Sequence, residues 1–276
     1  MVFWLSGCQF GEKQQQSNRI VADDPIPAYV DYRVEKIDKK VGACENDSTA
    51  KQCLFFQIEY PVITGKVGPE VMDKINAAIE KEILLNTPVE NGAIATVEGM
   101  MDELSSSYQQ LVNEFEDYEQ SWLIEINADI LYQNQNYMSI ASSVFNFTGG
   151  AHPNNSQIYK TYDLQTGEPI TLGDLFIEGY EKALYEAAEI EFRMQKEIPP
   201  RNSLSSAGYW FEDDQFKLNE NFAIIRQSLI FYFNPYEIGP YSLGATELEL
   251  KLTDYIDLIK KDGLLFALLS DSTGSE

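Results

Sequence analysis

Apolar and polar positions along the chain fall into blocks of two different periods. From Ala28 to Val41, and again from Leu54 to Ile63, the pattern is strand-like, and the two stretches flank a polar interval, Glu45–Gln52. Gly68-Pro69 then opens a helical block from Glu70 to about Leu85, with Val71, Ile75, Ile79 and Ile83 at helical spacing. A second helix is predicted from Val97 to about Tyr118, striped by Met101, Leu104, Tyr108, Leu111, Val112 and Phe115. A methionine and aromatic stripe at this spacing reads as core rather than as a cofactor box. Trp122–Leu131 alternates Ile124, Ile126, Ala128 and Ile130 with Glu125, Asn127 and Asp129, the signature of a half-buried antiparallel strand.

Tyr137–Phe147 and Gln157–Leu164 read as two more strands, and Gln165-Thr166-Gly167 as a turn in which Asp163 takes part. Thr171–Phe176 leads into a helix from about Ile177 to Lys196, with Asp174 as its expected cap. The stripe is Tyr180, Leu184, Ala187 and Met194, and Pro199-Pro200 stops the helix. Phe222–Phe233 and Thr246–Leu252 are further strands, and Tyr255–Leu269 closes the chain as one or two short helices. Strands and helices are grouped rather than strictly alternating. The predicted class is α+β, with mainly antiparallel sheets packed with helices.

Composition narrows the function classes. The chain has 276 residues, 44% of them hydrophobic, with 16 Tyr and 15 Phe, enough to bury a substantial core. Twenty Lys and Arg against 44 Asp and Glu leave a formal charge of −24, which argues against a nucleic-acid partner of the same sign. No Lys or Arg occurs between Lys81 and Lys160, whereas eleven acids do. Such a field either draws a cationic partner or simply keeps a surface solvated. No run of eighteen apolar residues is present, and a single histidine leaves little for a His-based metal site or a Ser-His-Asp triad. No cofactor is expected.

At the N-terminus Leu5-Ser6-Gly7-Cys8 resembles a bacterial lipobox, and a polar stretch, Gly11–Asn18, follows it. Residues 1–7 are then a lipoprotein signal remnant, Cys8 the lipidated residue and 8–24 a flexible tether. Seven residues are too few for a complete signal, so the expectation is that the true start lies upstream or that the start was trimmed. The competing reading is a frayed terminus with a stray cysteine. Cys44 and Cys53 flank the polar interval, and a disulfide between them would staple a hairpin loop in an oxidising envelope compartment; two free thiols are the alternative.

Three segments carry a family resemblance: Thr148-Gly149-Gly150-Ala151-His152-Pro153-Asn154; Tyr162–Gly167 with Ile170–Phe176; and Phe231-Tyr232-Phe233-Asn234-Pro235-Tyr236-Glu237-Ile238-Gly239-Pro240-Tyr241. In this order they resemble the extracellular domain of RsiV-type anti-sigma factors, a module also attached to the peptidoglycan deacetylase PdaC. The resemblance implies a two-part architecture, 25–147 and 148–276, and for RsiV it implies binding of lysozyme. No transmembrane or sigma-binding segment of the RsiV type and no deacetylase domain is expected from these residues, so signalling by membrane proteolysis is not implied.

The residues themselves have plainer readings beside the functional ones. Gly149 and Gly150 permit a tight turn. His152 is either a pH-sensitive group or general base, or a histidine bonding the loop backbone. Asn234, Pro235, Tyr236, Glu237, Pro240 and Tyr241 form a loop stiffened by two prolines. Its tyrosines either contact a partner at little entropic cost or lock the loop onto the sheet.

The leading expectation is a non-enzymatic, lipid-anchored envelope protein, facing periplasm or exterior and touching the membrane through its lipid only. Its partner would be a lysozyme-like basic muramidase. The alternative is a glycan-binding module in which Trp210 and Tyr209 join the Tyr236 loop in stacking on sugars. With 44 acids, a carboxylate-pair glycosidase has almost no distinguishing signal.

Overall fold

A computed structural model describes residues 28–47, 49–89, 94–115, 117–150 and 152–272. Cys8 and the expected signal and tether lie outside them. The first strands are β1 (Asp31–Gly42) and β2 (Cys53–Gly65), followed by helices α1 (Pro69–Leu85) and α2 (Val97–Glu114). Strands β3 (Trp122–Gln133), β4 (Tyr137–Phe147) and β5 (Asn154–Asp163) complete a five-stranded sheet in the order β1-β2-β3-β4-β5. Then come α3 (Leu172–Leu175), α4 (Tyr180–Gln195), β6 (Phe222–Ile225), β7 (Ser228–Phe233), β8 (Thr246–Lys251) and α5 (Leu264–Ser272). Strands β6-β7-β8 form a second, antiparallel sheet. The α+β class holds.

One face of the large sheet is closed by α1 and α2. Leu54, Phe56 and Ile58 of β2, Ile124 and Ile126 of β3 and Val144 of β4 pack there against Ile75, Ile79 and Ile83 of α1 and Met100, Leu104 and Tyr108 of α2. The opposite face receives the small sheet over part of its area, through Ala141 and Tyr159 on one side and Ala223, Ile225 and Ile230 on the other. The outer face of the small sheet, with Phe222, Phe231, Leu248 and Leu250, is covered by α4 through Leu184, Ala188 and Phe192. The order of layers is therefore helix, sheet, sheet, helix. Strand β4 is central to two of these interfaces, which is why both of its faces are apolar or small.

Several expectations change for identifiable reasons. Strand β3 is antiparallel to β4 but parallel to β2, because α1 and α2 carry the chain across before it returns. Helix α2 ends at Glu114 rather than Tyr118, leaving Phe115 exposed; the acids Glu114 and Asp117 oppose the negative end of the helix dipole. On α4 the buried stripe is Tyr180, Leu184, Ala188 and Phe192, and Met194 is 67% exposed. The run Phe222–Phe233 folds back on itself at Arg226-Gln227 to give β6 and β7. Asp174 does not cap α4: it sits at the third position of α3 and accepts from the N–H (2.8 Å) and hydroxyl (2.7 Å) of the N-cap residue Thr171. The β4–β5 hairpin crosses the expected 147/148 boundary, so the large sheet takes its last strand from the second part.

The disulfide is present. Gly42 pairs with Cys53 at the end of the β1–β2 ladder, and a single helical turn, Ala43–Glu45, places Cys44 with its Cα 5.5 Å from that of Cys53.

Candidate functional site

The two loops singled out in the sequence meet in space. Strand β4 runs into Thr148–Asn154, where Gly149 and Gly150 take φ of 108° and 98°. These values are open to glycine and strained for other residues. The turn presents His152, exposed, with its Nδ1 3.2 Å from the Pro153 carbonyl. Its ring stacks on Tyr241 at 5.5 Å between centroids and lies 6.5 Å from that of Tyr236, while the two tyrosines are 5.5 Å apart. Tyr236 is 54% and Tyr241 49% exposed. Three aromatic rings from two distant segments thus form one solvent-facing cluster.

Strand β7 and the turn after it explain how Tyr236 is held. The Glu237 N–H donates to the Asn234 carbonyl at 3.1 Å, closing a turn with Pro235 in its second position and Tyr236 in its third. Tyr236 has φ of 70°, in the left-handed region where such a turn ordinarily carries glycine or asparagine. A tyrosine there costs on the order of 1 kcal/mol, a strain kept at a surface position where burial gives nothing back. The Glu237 carboxylate fixes the turn by accepting from the Asn234 N–H at 2.8 Å and from Asn219 Nδ2 at 2.6 Å. Pro240 leads into a short helical turn, Tyr241–Leu243, which seats Tyr241 beside His152.

Asn234 has a different job. Strand β5 is an edge of the large sheet, and its outward backbone groups are bonded by asparagine side chains instead of another strand. The Gln157 N–H donates to Asn234 Oδ1 at 2.7 Å, and the Gln157 carbonyl accepts from Nδ2 of both Asn234 (3.1 Å) and Asn221 (2.9 Å). The Tyr159 N–H donates to Asn221 Oδ1 at 2.6 Å. These amides close an edge that would otherwise invite strand addition, and they tie the Tyr236 turn to the sheet. Farther along, Ser139 Oγ donates to the Ile224 carbonyl at 2.6 Å and Thr161 Oγ1 accepts from the Ile224 N–H at 3.0 Å.

The six loop candidates therefore divide: Tyr236 and Tyr241 face solvent, while Asn234 and Glu237 hold the loop and Pro235 and Pro240 shape it. Tyr209 is buried against Phe192, because the chain turns it into the core, and it is unavailable for stacking on a sugar. Trp210 is 57% exposed, and its backbone N–H donates to the Ile238 carbonyl at 2.8 Å, so it borders the same loop. Sequence reasoning missed the strained φ of Tyr236; Pro235 in the preceding position was its only local signal. Among the described residues no three of His, Cys, Asp or Glu gather into a set that could hold a metal ion, and no helix is long and apolar enough to cross a membrane.

Comparison with known proteins matches two separate stretches of the chain. Residues 47–155 match the family model described as deacetylase PdaC, and residues 173–253 match DUF3298, described as a protein of unknown function. A DUF3298-family structure from Bacteroides fragilis is similar with a TM-score of 0.67 at 16% identity, covering 87% of this chain and 98% of that one. Another, from Pseudomonas aeruginosa, has a TM-score of 0.62 at 18% identity, with 86% and 96% covered. Both likenesses are of fold. A protein named esterase Rv3036c, from Mycobacterium tuberculosis, is 32% identical over 118 residues, 41% of this chain and 48% of that protein. The chain thus spans about half the length of that curated relative. The resemblance carried by the motifs is supported by both family models, the PdaC match preceding the DUF3298 match along the chain.

Proposed function

We propose that this chain is a lipid-anchored binding module of the bacterial cell envelope that captures a basic, lysozyme-like muramidase. The observation that carries the reading is the exposed cluster of His152, Tyr236 and Tyr241 on a clamped, proline-bounded loop. Rigid tyrosines lose little entropy on contact, which makes them effective interface anchors. The formal charge of −24 supplies attraction to a cationic enzyme and speeds encounter with it. The expected lipid on Cys8 would hold the module at a membrane surface.

The test is binding of the chain to a basic c-type lysozyme at low and at physiological salt. Micromolar or tighter binding is expected, weakening with salt. Tyr236→Ala and Tyr241→Ala are each expected to reduce affinity by about 5–30-fold, the usual effect of truncating a central aromatic anchor. Absence of binding by folded protein overturns the reading, and so does salt-sensitive binding that ignores both tyrosines.

A glycan partner is the second reading, favoured by the exposed Trp210 beside the loop. It predicts binding that tolerates high salt and falls with Trp210→Ala. The module is read as non-catalytic: the chain's only histidine engages the Pro153 carbonyl and stacks on Tyr241. Hydrolysis of a simple aryl ester that disappears in His152→Ala would refute that part.

A further inference from the structure

The small sheet leaves part of the large sheet uncovered. It rests on Ser139, Ala141, Tyr159 and Thr161, and the same face of β4 continues beyond them to Phe145 and Phe147. The registers set Phe147 beside Leu123, Leu123 beside Phe55, and Phe55 beside Lys40, one row across four strands. Phe145 lies in the next row on this face, between Glu125 and Asn155. Phe55, Leu123, Phe145 and Phe147 are all half-buried. Among the described residues, none of the four belongs to or packs against the three cores. A contiguous apolar patch of this kind on a folded surface marks a contact site more often than chance exposure does.

Charge and position say what covers it. From β3 to β5 this face carries no Lys or Arg, since Lys160 pairs with Ile140 on the opposite, helix-covered face, and the exposed Glu125 stands next to Phe145. On the β1 side, Lys36 is paired with Glu59 at 2.9 Å and Lys40 lies over the Phe55 ring at 5.8 Å. The patch also adjoins the aromatic cluster. Phe147 precedes His152 by five residues, and Asn234 is bonded to Gln157, whose cross-strand neighbour Ser143 lies on the same face two residues before Phe145. A second copy of a −24 chain would be repelled from this acidic surface, and phenylalanine offers a sugar no hydrogen bond.

We infer that the open face of the five-stranded sheet is a second contact surface for a basic protein, with Phe55, Leu123, Phe145 and Phe147 as its apolar centre and Glu125 as counter-charge to a partner Lys or Arg. The inference rests on the cationic partner proposed above and extends the contact from the tyrosine cluster onto the sheet. One partner bridging both surfaces would bury more area than the loop offers alone.

The experiment measures binding of a basic c-type lysozyme to the full chain at physiological salt, with thermal melts of every variant. Glu125→Lys, an exposed change, is expected to weaken binding about 10-fold without moving the melting temperature. Phe147→Ser is expected to weaken it by about 5–30-fold, and Phe55→Ser by a similar factor. If Tyr236→Ala weakens binding while Glu125→Lys and both phenylalanine variants bind as wild type, the sheet surface is overturned and the loop reading stands. If the folded wild type does not bind, both fall. Self-association of the wild type that Phe147→Ser abolishes would assign the patch to a second copy, and salt-tolerant binding of wall glycan that it abolishes would assign it to sugar; either result overturns the inference.

Discussion

The asparagine clamp on β5 makes a quantitative prediction through a double-mutant cycle. Asn234→Ala orphans the Gln157 N–H, while the Gln157 carbonyl keeps Asn221 Nδ2. Asn221→Ala removes the acceptor of the Tyr159 N–H, while the Gln157 carbonyl keeps Asn234 Nδ2 and the Tyr232 carbonyl keeps Asn219 Nδ2. At about 1 kcal/mol net per part-buried hydrogen bond, the single variants lose about 2 and 3 kcal/mol. Only the double variant strips the Gln157 carbonyl of both donors, and an unsatisfied part-buried carbonyl costs about a further 1 kcal/mol or more. The double variant should therefore lose at least about 1 kcal/mol more than the sum of the singles, although the two asparagines come from different segments. Urea unfolding of the four proteins, with the disulfide intact and a common m-value, measures each term. Single losses below about 0.5 kcal/mol, or strictly additive losses, would refute the clamp and return Asn234 to the set of free contact residues.

Two further outcomes follow from named interactions. Reducing the Cys44–Cys53 bridge, which closes a loop with a sequence separation of 9, should lower stability by about 2–3 kcal/mol. A thermal melt with and without reductant, compared against Cys44→Ser/Cys53→Ser, checks it, and coincident melts would contradict it. The Glu247 carboxyl, half-buried, is pushed above its ordinary value of 4.5 by burial and by Glu249, against the Tyr159 hydroxyl that donates to it at 2.7 Å. Folding then favours its protonated form, so its contribution to stability falls as pH rises through the interval above 4.5. Glu247→Gln, which keeps an acceptor for Tyr159, should gain on the wild type from pH 4 to pH 7 in urea midpoint; parallel pH curves would disprove the assignment.

How much of this was legible in the sequence follows from the range of the interactions. The α1 stripe, the alternation in β3 and β8, the Asp163–Gly167 turn and the cysteine pair are local, and periodicity or spacing reports them directly. The parallel pairing of β2 with β3 is not local, since alternation reads the same whichever way the neighbour runs. On α4 both Phe192 and Met194 fit a helical stripe within one turn, and only the position of the small sheet decides that Phe192 is buried and Met194 exposed. Strand β4 is the sharpest case. From Ser139 onward its odd positions are Ser139, Ala141, Ser143, Phe145 and Phe147, and nothing along the strand says that the first two of these meet the small sheet while the last two do not.

Long-range contacts also keep the two loop motifs of the site unrelated along the sequence. The contacts that bring them together are side chain to backbone across 64 to 77 residues, from Asn221 and Asn234 to Gln157, and asparagines between strands read in sequence only as loop composition. Within one turn the chain then assigns opposite tasks to neighbours. Asn234 turns its amide inward and completes the sheet edge; Tyr236, two residues on, is held outward at a backbone angle better suited to glycine. A loop that served packing alone would relieve that strain with glycine and lose only a surface ring. Tyrosine at this position is coherent with a task for the ring itself, and its ring neighbours, His152 and Tyr241, come from two of the three segments that carry the family resemblance.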